Sequence, residues 1–147
     1  TAITAEAASA KPAVLSVDFA LKYPLRILLA EDNVINQKLA MRVLSKLGYE
    51  PELANNGREA TGMAERNHYD VILMDVLMPE MDGLEATNYI RQHHSHQPAI
   101  IAMTANALPE DRLACLSAGM NDYISKPIGL DILMKVLQQT SSKLQAG

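Results

Sequence analysis

The 147-residue chain has few of the residues that cross-link or anchor a protein. It contains a single cysteine, Cys115, so an internal disulfide is impossible, and this usage is typical of a reducing compartment. No apolar run approaches the roughly 20 residues that span a bilayer, and a formal net charge of -4 gives no basic excess for nucleic acid. We therefore predict a cytoplasmic domain that contacts neither membrane nor nucleic acid through this segment.

The N-terminal stretch differs in composition from the rest of the chain. Ala, Ser and Thr dominate residues 1–23, without sustained hydrophobic periodicity, until Pro24 precedes the first apolar run. This composition predicts a linker or a disordered extension. We predict one folded domain over residues 24–141 and a C-terminal tail over residues 142–147.

Short apolar runs alternate with segments of helical periodicity throughout the predicted domain. The predicted strands are 26–30, 50–54, 71–74, 99–103 and 122–125. The predicted helices are 33–47, 58–66, 84–92, 109–117 and a last one that starts near 130 and fades before 141. Such alternation implies crossover connections, hence an α/β doubly wound parallel sheet whose crevice lies at the carboxyl ends of the strands.

Polar side chains follow four of these strands. Glu31 and Asp32 follow the first strand and Asp75 follows the third. Thr104 and Lys126 follow the fourth and the fifth. A single Asp after a strand is ordinary turn chemistry, but a turn requires neither an ammonium nor adjacent acids. The set therefore predicts one shared site.

The three acids of this set favour a hard divalent cation. Two carboxylates about 4 Å apart repel by about 4 kcal/mol at an effective dielectric of 20, so a positive charge must offset them. Oxygen ligands without imidazole or thiolate favour magnesium over zinc. Asp75 is ionised at neutral pH and can attack phosphorus, while Lys126 neutralises phosphoryl charge and Thr104 donates its hydroxyl.

Four segments carry a resemblance to a known family. They are Ile27–Asn33, Asp75–Gly83, Met103–Ala107 and Ala118–Pro127. With these in order, residues 25–140 closely resemble the receiver domain of two-component response regulators, in particular the receivers fused to hybrid sensor histidine kinases. The resemblance implies a flavodoxin-like fold with five helices and a five-stranded parallel sheet in the order 2-1-3-4-5.

The resemblance also implies how the acids divide their roles. Asp75 becomes the phosphoacceptor, Asp32 a direct Mg²⁺ ligand, and Glu31 a ligand that acts largely through water. The main-chain carbonyl of Leu77, two positions past the acceptor, completes the protein's ligands for the ion.

The remaining motif residues receive switching and phosphate-binding roles by the same resemblance. Thr104 becomes the switch hydroxyl, and Tyr123 the aromatic side chain that swings inward behind it. Lys126 becomes the cation that binds the phosphoryl group. A cis peptide bond is implied before Pro127, where an X-Pro bond makes this isomer accessible.

The function that follows is that of a phosphoacceptor in a two-component phosphorelay. By the same resemblance, the phosphoryl donor is expected to be a histidine on a kinase dimerisation domain or on a histidine phosphotransfer protein. The module itself is expected to catalyse only its own phosphorylation and dephosphorylation, as a monomer or weak dimer. Its parent is expected to be a hybrid sensor kinase whose kinase centre lies outside this chain; the alternative is a stand-alone single-domain regulator.

A candidate docking face for the partner lies beside the crevice. Val34, Gln37 and Met41 fall on a face of the first helix separate from its predicted core stripe, which includes Leu39. Together with Ile128, they are our candidates for contact with a helical phosphotransfer partner.

Two other functional classes lack the residues that they need, and one histidine cluster does not suit a metal site. A flavin-binding module of the same topology would need a Ser/Thr/Gly-rich phosphate loop where the chain has Glu31 and Asp32. A metal-dependent phosphatase with an aspartyl nucleophile would normally carry a second acid at position 77, which is Leu. The histidine-rich stretch His93–His96 is interpreted as a solvated loop, because it lies far from the crevice.

Overall fold

The computed structural model describes residues 18–78, 80–105, 108–126 and 128–146, and within them five parallel strands form one sheet. The strands are β1 (Ile27–Ala30), β2 (Glu52–Ala54), β3 (Val71–Asp75), β4 (Ala99–Thr104) and β5 (Asp122–Ser125). Their spatial order is β2-β1-β3-β4-β5. The predicted doubly wound fold and strand order are therefore confirmed.

Six helices flank the sheet in the described residues. They are α1 (Asp18–Lys22), α2 (Val34–Lys46), α3 (Gly57–Arg66), α4 (Gly83–His93), α5 (Pro109–Ala118) and α6 (Leu130–Ala146). Five of these helices were predicted; α1 was not, and the last helix continues beyond its predicted end. The helix continues through the polar residues after residue 139. Thr140, for example, is buried and donates its hydroxyl to the carbonyl of Val136. In the described part of the chain, every helix is too short or too polar to cross a bilayer.

The core lies in two layers, one on each face of the sheet. Alternate residues of β1 divide between them, with Leu29 facing α2 and α6, and Leu28 facing α3, α4 and α5. Strands β1 and β3 are buried along their whole length, as expected for central parallel strands covered on both sides. The carboxyl ends of the central strands therefore lie between two packed layers.

Helix α1 belongs to the domain although the sequence placed it in the N-terminal extension. The ring of Phe19 packs against those of Tyr23 and Tyr49, at centroid distances of 4.9 and 6.2 Å. The amide of Ala20 donates to the carbonyl of Leu47, and the Tyr49 hydroxyl donates to the carbonyl of Tyr23. These contacts fix α1 near the C-terminal end of α2. The rest of the predicted extension, residues 1–17, and the predicted cis bond before Pro127 lie outside the described residues.

Candidate functional site

Four strand ends meet at one edge of the sheet and carry the polar side chains selected from the sequence. Asp75 ends β3 and Thr104 ends β4. Glu31 and Lys126 directly follow β1 and β5. These four side chains and Asp32 border a single cleft of about 230 Å³. Parallel strands end at the same edge, so a sheet of this order brings together groups that lie up to about a hundred residues apart in sequence.

Lys126 joins the two buried acids of the cleft. Its Nζ lies 2.9 Å from Glu31 Oε1 and 3.0 Å from Asp75 Oδ1. The side chains of Glu31 and Asp75 are only 2% and 6% exposed, and that of Lys126 is 19% exposed. The amide of Lys126 donates to the carbonyl of Thr104 at 2.7 Å, which ties the end of β5 to the end of β4. The ammonium is thus held between two carboxylates that water hardly reaches.

Burial and this shared ammonium set the ionisation of the three groups. Burial raises the pKa of Asp75 to about 6, with Lys126 opposing and the Glu31 carboxylate adding to the rise. Burial acts on Glu31 in the same sense, but hydrogen bonds from Lys126 and the amide of Asn33 outweigh it, so the pKa of Glu31 is lowered. Burial lowers the pKa of Lys126, but its two carboxylate partners prevail and the pKa is raised. Near neutral pH the cleft therefore carries two carboxylates around one ammonium.

The acids fit a divalent cation. Glu31, Asp32 and Asp75 each offer one carboxylate oxygen, and these oxygens all lie within 4.8 Å of one another. Among the described residues, no other group of three acids, histidines or cysteines is so placed. Asp32 is exposed, so an ion at this group would stay in contact with water. Hard oxygen donors with water access match the preference of Mg²⁺.

Leu77 borders the same cleft, as the predicted main-chain ligand requires. Its side chain is 71% exposed, and its amide donates to Asp75 Oδ1 at 3.4 Å. The segment after β3 therefore turns back over the carboxylate of Asp75. This turn brings the main chain of Leu77, rather than its side chain, to the acids.

Thr104 and Tyr123 lie on the same face of the sheet. Thr104 follows Ala102 by two residues in β4, and Ala102 pairs with Tyr123 in β5. Since side chains alternate along a strand, both face α3, α4 and α5. Thr104 is 7% exposed, whereas Tyr123 is half-buried against the core with the guanidinium of Arg112 over its ring, 5.9 Å from the centroid.

The structure divides the predicted docking residues. Val34 is exposed, while Met41 and Ile128 are partly buried against the core. Gln37 is 7% exposed, so the prediction that it lies on a docking surface is wrong. Its amide nitrogen donates to the Glu31 carbonyl at 2.6 Å and to Asn55 Oδ1 at 2.9 Å, which draws the side chain inward.

Leu39 and Gln37 on helix α2 have the reverse of their predicted exposures. The sequence assigned Leu39 to the core stripe, yet 49% of its surface is exposed. It lines a small apolar cleft of about 160 Å³ between α2 and the segment after β5. The residues lining this cleft are Glu31, Asn36, Leu39, Ala40, Val43, Lys126 and Ile128. The exposed apolar surface of α2 thus adjoins the acidic site.

Gly83 is a site residue whose role the sequence did not reveal. A Cβ at this position would lie 2.3 Å from the main-chain oxygen of Asp75, closer than any side chain can approach. Its amide donates to the carbonyl of Val76 at 2.9 Å. Asp82 and Glu85 form a capping box that starts α4 at this point. The signal in the sequence was the Asp-Gly pair ahead of a helical segment, which marks a helix start without revealing the close approach to Asp75.

The histidine stretch is less solvated than the sequence predicted. Both ring nitrogens of His94 are buried, and they have no hydrogen-bond partner among the described residues. His96 contacts the carbonyl of Tyr69 at 2.7 Å and stacks on His68, with ring centroids 4.6 Å apart. Residues 94–98 therefore form a loop as predicted, but the ring nitrogens of His94 are not solvated and His96 is half-buried. Both lie near the amino ends of the strands, away from the acids.

Comparison with known proteins places these features in a family. The response regulator receiver domain matches residues 27–138. The chain is 47% identical over 124 residues to hybrid signal transduction histidine kinase H of Dictyostelium discoideum, covering 81% of this chain and 9% of that protein. It is 42% identical over 113 residues to sensor histidine kinase RcsC of Escherichia coli, covering 77% and 12%. The chain thus spans about a tenth of the length of these relatives.

Solved structures with the same fold include two receivers. One is the receiver domain of a Pseudomonas aeruginosa sensor histidine kinase with a magnesium ion coordinated in its active-site cleft; it is 45% identical, with a TM-score of 0.75 over 80% of this chain and 98% of that one. The other is the receiver domain of a Saccharomyces cerevisiae response regulator in complex with a histidine phosphotransfer protein; it is 31% identical, with a TM-score of 0.75 over 80% and 89%. By sequence match, fold and the acids at its strand ends, the chain belongs to the response regulator receiver domain family.

Proposed function

We propose that the protein accepts a phosphoryl group on Asp75 from a histidine of a partner in a two-component phosphorelay. The observation that carries the proposal is the ammonium of Lys126 within 3.0 Å of a buried carboxylate at a strand end, beside two further acids. An ordinary surface turn gains nothing from burying two acids around one lysine, since desolvation of charges is costly. A site that receives an anionic group onto an aspartate needs this arrangement.

The chemistry asks little of the protein beyond placement and charge. A carboxylate oxygen of Asp75 forms a bond to phosphorus while the bond between phosphorus and the donor imidazole nitrogen breaks, its electron pair going to that nitrogen. No general base is needed, because the carboxylate is ionised above its pKa of about 6. Lys126 stabilises the charge of the arriving phosphoryl group, and the hydroxyl of Thr104 donates to one of its oxygens.

Magnesium is the cofactor we assign to the site. The residues that would hold it are Glu31, Asp32, Asp75 and Leu77, the last through its main-chain carbonyl. When bound, the ion supplies further neutralisation of the phosphoryl oxygens. It also offsets the repulsion among the acids, which a single ammonium leaves uncompensated. The magnesium-bound receiver of the Pseudomonas kinase supports this assignment.

The switch is assigned to Thr104 and Tyr123. Phosphorylation adds about one and a half to two negative charges at Asp75, which attract the hydroxyl of Thr104 and the loop that follows β4. Inward movement of Thr104 frees space on the face it shares with Tyr123, so the aromatic ring moves from its half-buried position toward the core. The surface near Arg112, which now lies over that ring, changes with it.

The phosphodonor is assigned to a helical partner that docks beside the cleft. The exposed apolar surface of α2, represented by Val34 and Leu39, adjoins Glu31 and Lys126 through the small cleft near Ile128. Met41 contributes from the partly buried edge of this surface. Two kinds of partner present helices: a histidine kinase dimerisation domain and a histidine phosphotransfer protein. The yeast complex of a receiver with a histidine phosphotransfer protein supports the latter as a partner. The parent protein is assigned as a hybrid sensor kinase on the basis of the relatives; a stand-alone regulator is the alternative.

Mass spectrometry of the protein treated with acetyl phosphate and Mg²⁺ tests the proposal. We expect one phosphoryl group on the native chain and on Asp131→Asn, a control at an exposed position of α6. We expect none on Asp75→Asn, and none on the native chain when EDTA replaces Mg²⁺. A phosphoryl group retained by Asp75→Asn under the same conditions would overturn the assignment of the acceptor.

A further inference from the structure

We propose that Gln37 is a positioning residue that sets the orientation of the acid pair Glu31 and Asp32 for magnesium. This inference rests on the function proposed above. Gln37 points from α2 toward the sheet, and only 7% of it is exposed. A buried amide is costly unless its polar atoms are paired, so an apolar residue would be the ordinary choice at an inward-facing helix position.

The amide of Gln37 is oriented by its partners. Its nitrogen lies 2.6 Å from the carbonyl oxygen of Glu31 and 2.9 Å from Asn55 Oδ1. Asn55 donates to Glu59 Oε1 twice, through its side-chain nitrogen at 3.2 Å and through its main-chain N–H at 2.9 Å. The side-chain oxygen of Asn55 is therefore the atom that faces Gln37. Both groups that Gln37 contacts are therefore acceptors, and both of its N–H bonds are used.

These bonds fix the peptide that joins the two acids. The carbonyl of Glu31 and the amide of Asp32 belong to one planar unit, so the hydrogen bond from Gln37 sets the tilt of that plane. The amide of Glu31 is fixed separately, since it donates to the carbonyl of Ala54 at 3.0 Å. With both main-chain groups of Glu31 held, its side chain and that of Asp32 leave the backbone in defined directions toward the cleft.

Position matters more for a metal ligand than for a turn residue. The side chains of Glu31 and Asp32 each contribute an oxygen to the group of acids that lies within 4.8 Å, and Mg²⁺ requires near-ideal octahedral geometry. Substitution of groups that orient metal ligands typically weakens metal affinity by about 10- to 100-fold. The hydrogen-bonded series Glu59, Asn55 and Gln37 would act in this way from the side of α3 and β2.

Calorimetric titration of the unphosphorylated protein with Mg²⁺ tests this role. Gln37→Met removes the amide while keeping a side chain of similar length, and we expect its Mg²⁺ affinity to fall about tenfold. Gln97→Met is the matched control, because Gln97 also donates through its side-chain nitrogen to two carbonyls, those of Ile90 and His94, but does so far from the acids. We expect the control to bind Mg²⁺ as the native chain does.

A second measurement separates positioning from general damage to the fold. With acetyl phosphate as donor, Gln37→Met should need about tenfold more Mg²⁺ for half-maximal phosphorylation, whereas the rate at saturating Mg²⁺ should stay near the native rate. Urea unfolding in EDTA identifies a variant that fails to fold. If Gln37→Met fails to fold, Gln37→Asn replaces it, because this variant keeps the amide but is one methylene too short to reach both acceptors. We expect the same fall in Mg²⁺ affinity for Gln37→Asn.

The outcomes distinguish this inference from the function on which it rests. If the native protein takes up no Mg²⁺, the metal-dependent function itself is wrong. If the native protein binds Mg²⁺ and a folded Gln37 variant binds it within twofold of the native affinity, the positioning role is wrong while the proposed function stands.

Discussion

At the scale of single residues, Lys126 has the largest effect on the site because it is shared. One ammonium faces both Glu31 and Asp75, and both carboxylates are almost fully buried. Removal of one partner from a buried ionic group leaves an uncompensated charge and typically lowers the free energy of unfolding by about 3–5 kcal/mol. This loss is similar to that of truncating a large buried side chain. The same lysine therefore stabilises the metal-free fold, and under the proposed function it also stabilises the arriving phosphoryl group.

Lys126→Met is expected to lower the free energy of unfolding in EDTA by about 3 kcal/mol. Mg²⁺ should restore part of this loss, because the ion offsets the same acids. Urea unfolding with and without Mg²⁺ measures both effects. Lys135→Met, at an exposed position of α6, is the control and should unfold like the native chain. Equal stability of Lys126→Met and the native chain in EDTA would contradict the compensating role.

His94 is expected to make the stability depend on pH, because both of its ring nitrogens are buried without a partner among the described residues. Burial lowers its pKa below the ordinary value of 6.5, although Glu65 acts in the opposite direction. The unfolded chain therefore binds a proton at His94 before the folded chain does. The contribution of His94 to stability is complete above pH 6.5 and is lost as the pH falls from there toward the folded-state pKa.

His94→Leu is expected to reduce the loss of unfolding free energy between about pH 7 and pH 5, as followed by urea unfolding in buffers across that range. It should also be neutral or stabilising at pH 7, by up to about 1 kcal/mol, because it removes buried nitrogens without partners. Leu113→Ala, at an exposed position of α5, changes no titratable group and should retain the native pH dependence. An unchanged pH profile in His94→Leu would show that another group dominates this range.

At the scale of elements, all five strands and the five longer helices were predicted, but the end of α6 and the short helix α1 were not. Alternating apolar runs predicted all five strands, and Gly119, which has φ of 109°, ended α5 as expected of a left-handed cap. The end of α6 was predicted too early, because polar residues after residue 139 read as solvent-exposed. Helix α1 was not predicted, since five residues carry too little periodicity and its stability comes from Tyr49, distant in sequence.

Phe19→Ala is expected to detach α1 and to lower the free energy of unfolding by about 1–2 kcal/mol, less than a fully buried Phe would cost. Hydrogen exchange should show faster exchange at the amide of Ala20, which now donates to Leu47. Leu21→Ala is the matched control on the same helix, because Leu21 is 78% exposed. Equal exchange in the native chain and Phe19→Ala would mean that α1 is not held by this ring.

At the scale of the whole molecule, the acidic cleft and the apolar surface of α2 lie at one end of the sheet. The acids lie at the carboxyl ends of the strands, and the apolar surface of α2 borders them. The opposite pole carries α1 and the histidines. Under the proposed function, a partner protein is expected to approach over α2 and the segment after β5, while a small phosphodonor needs only the cleft.

Val34→Glu is expected to slow phosphotransfer from a histidine phosphotransfer protein by about tenfold, since a charge in the desolvated centre of an interface typically costs at least 1.4 kcal/mol. Phosphorylation by acetyl phosphate should stay at the native rate. Ile132→Glu, which replaces an equally exposed apolar residue on α6, controls for the added charge. If both donors slowed equally, α2 would not be the docking surface.

The sequence by itself determined the order of elements, the strand-end acids, the hydroxyl and the lysine, because apolar periodicity and the residues that follow each strand are local properties. The tertiary structure alone decided that Gln37 turns inward to Glu31 and Asn55, that Leu39 faces out, that His94 loses its water, and that Phe19 docks on Tyr49. Each of these depends on atoms that the packing of the helices and loops around the sheet brings together. Hydrogen bonding and desolvation at such contacts outweigh the preference that a residue type expresses along the chain.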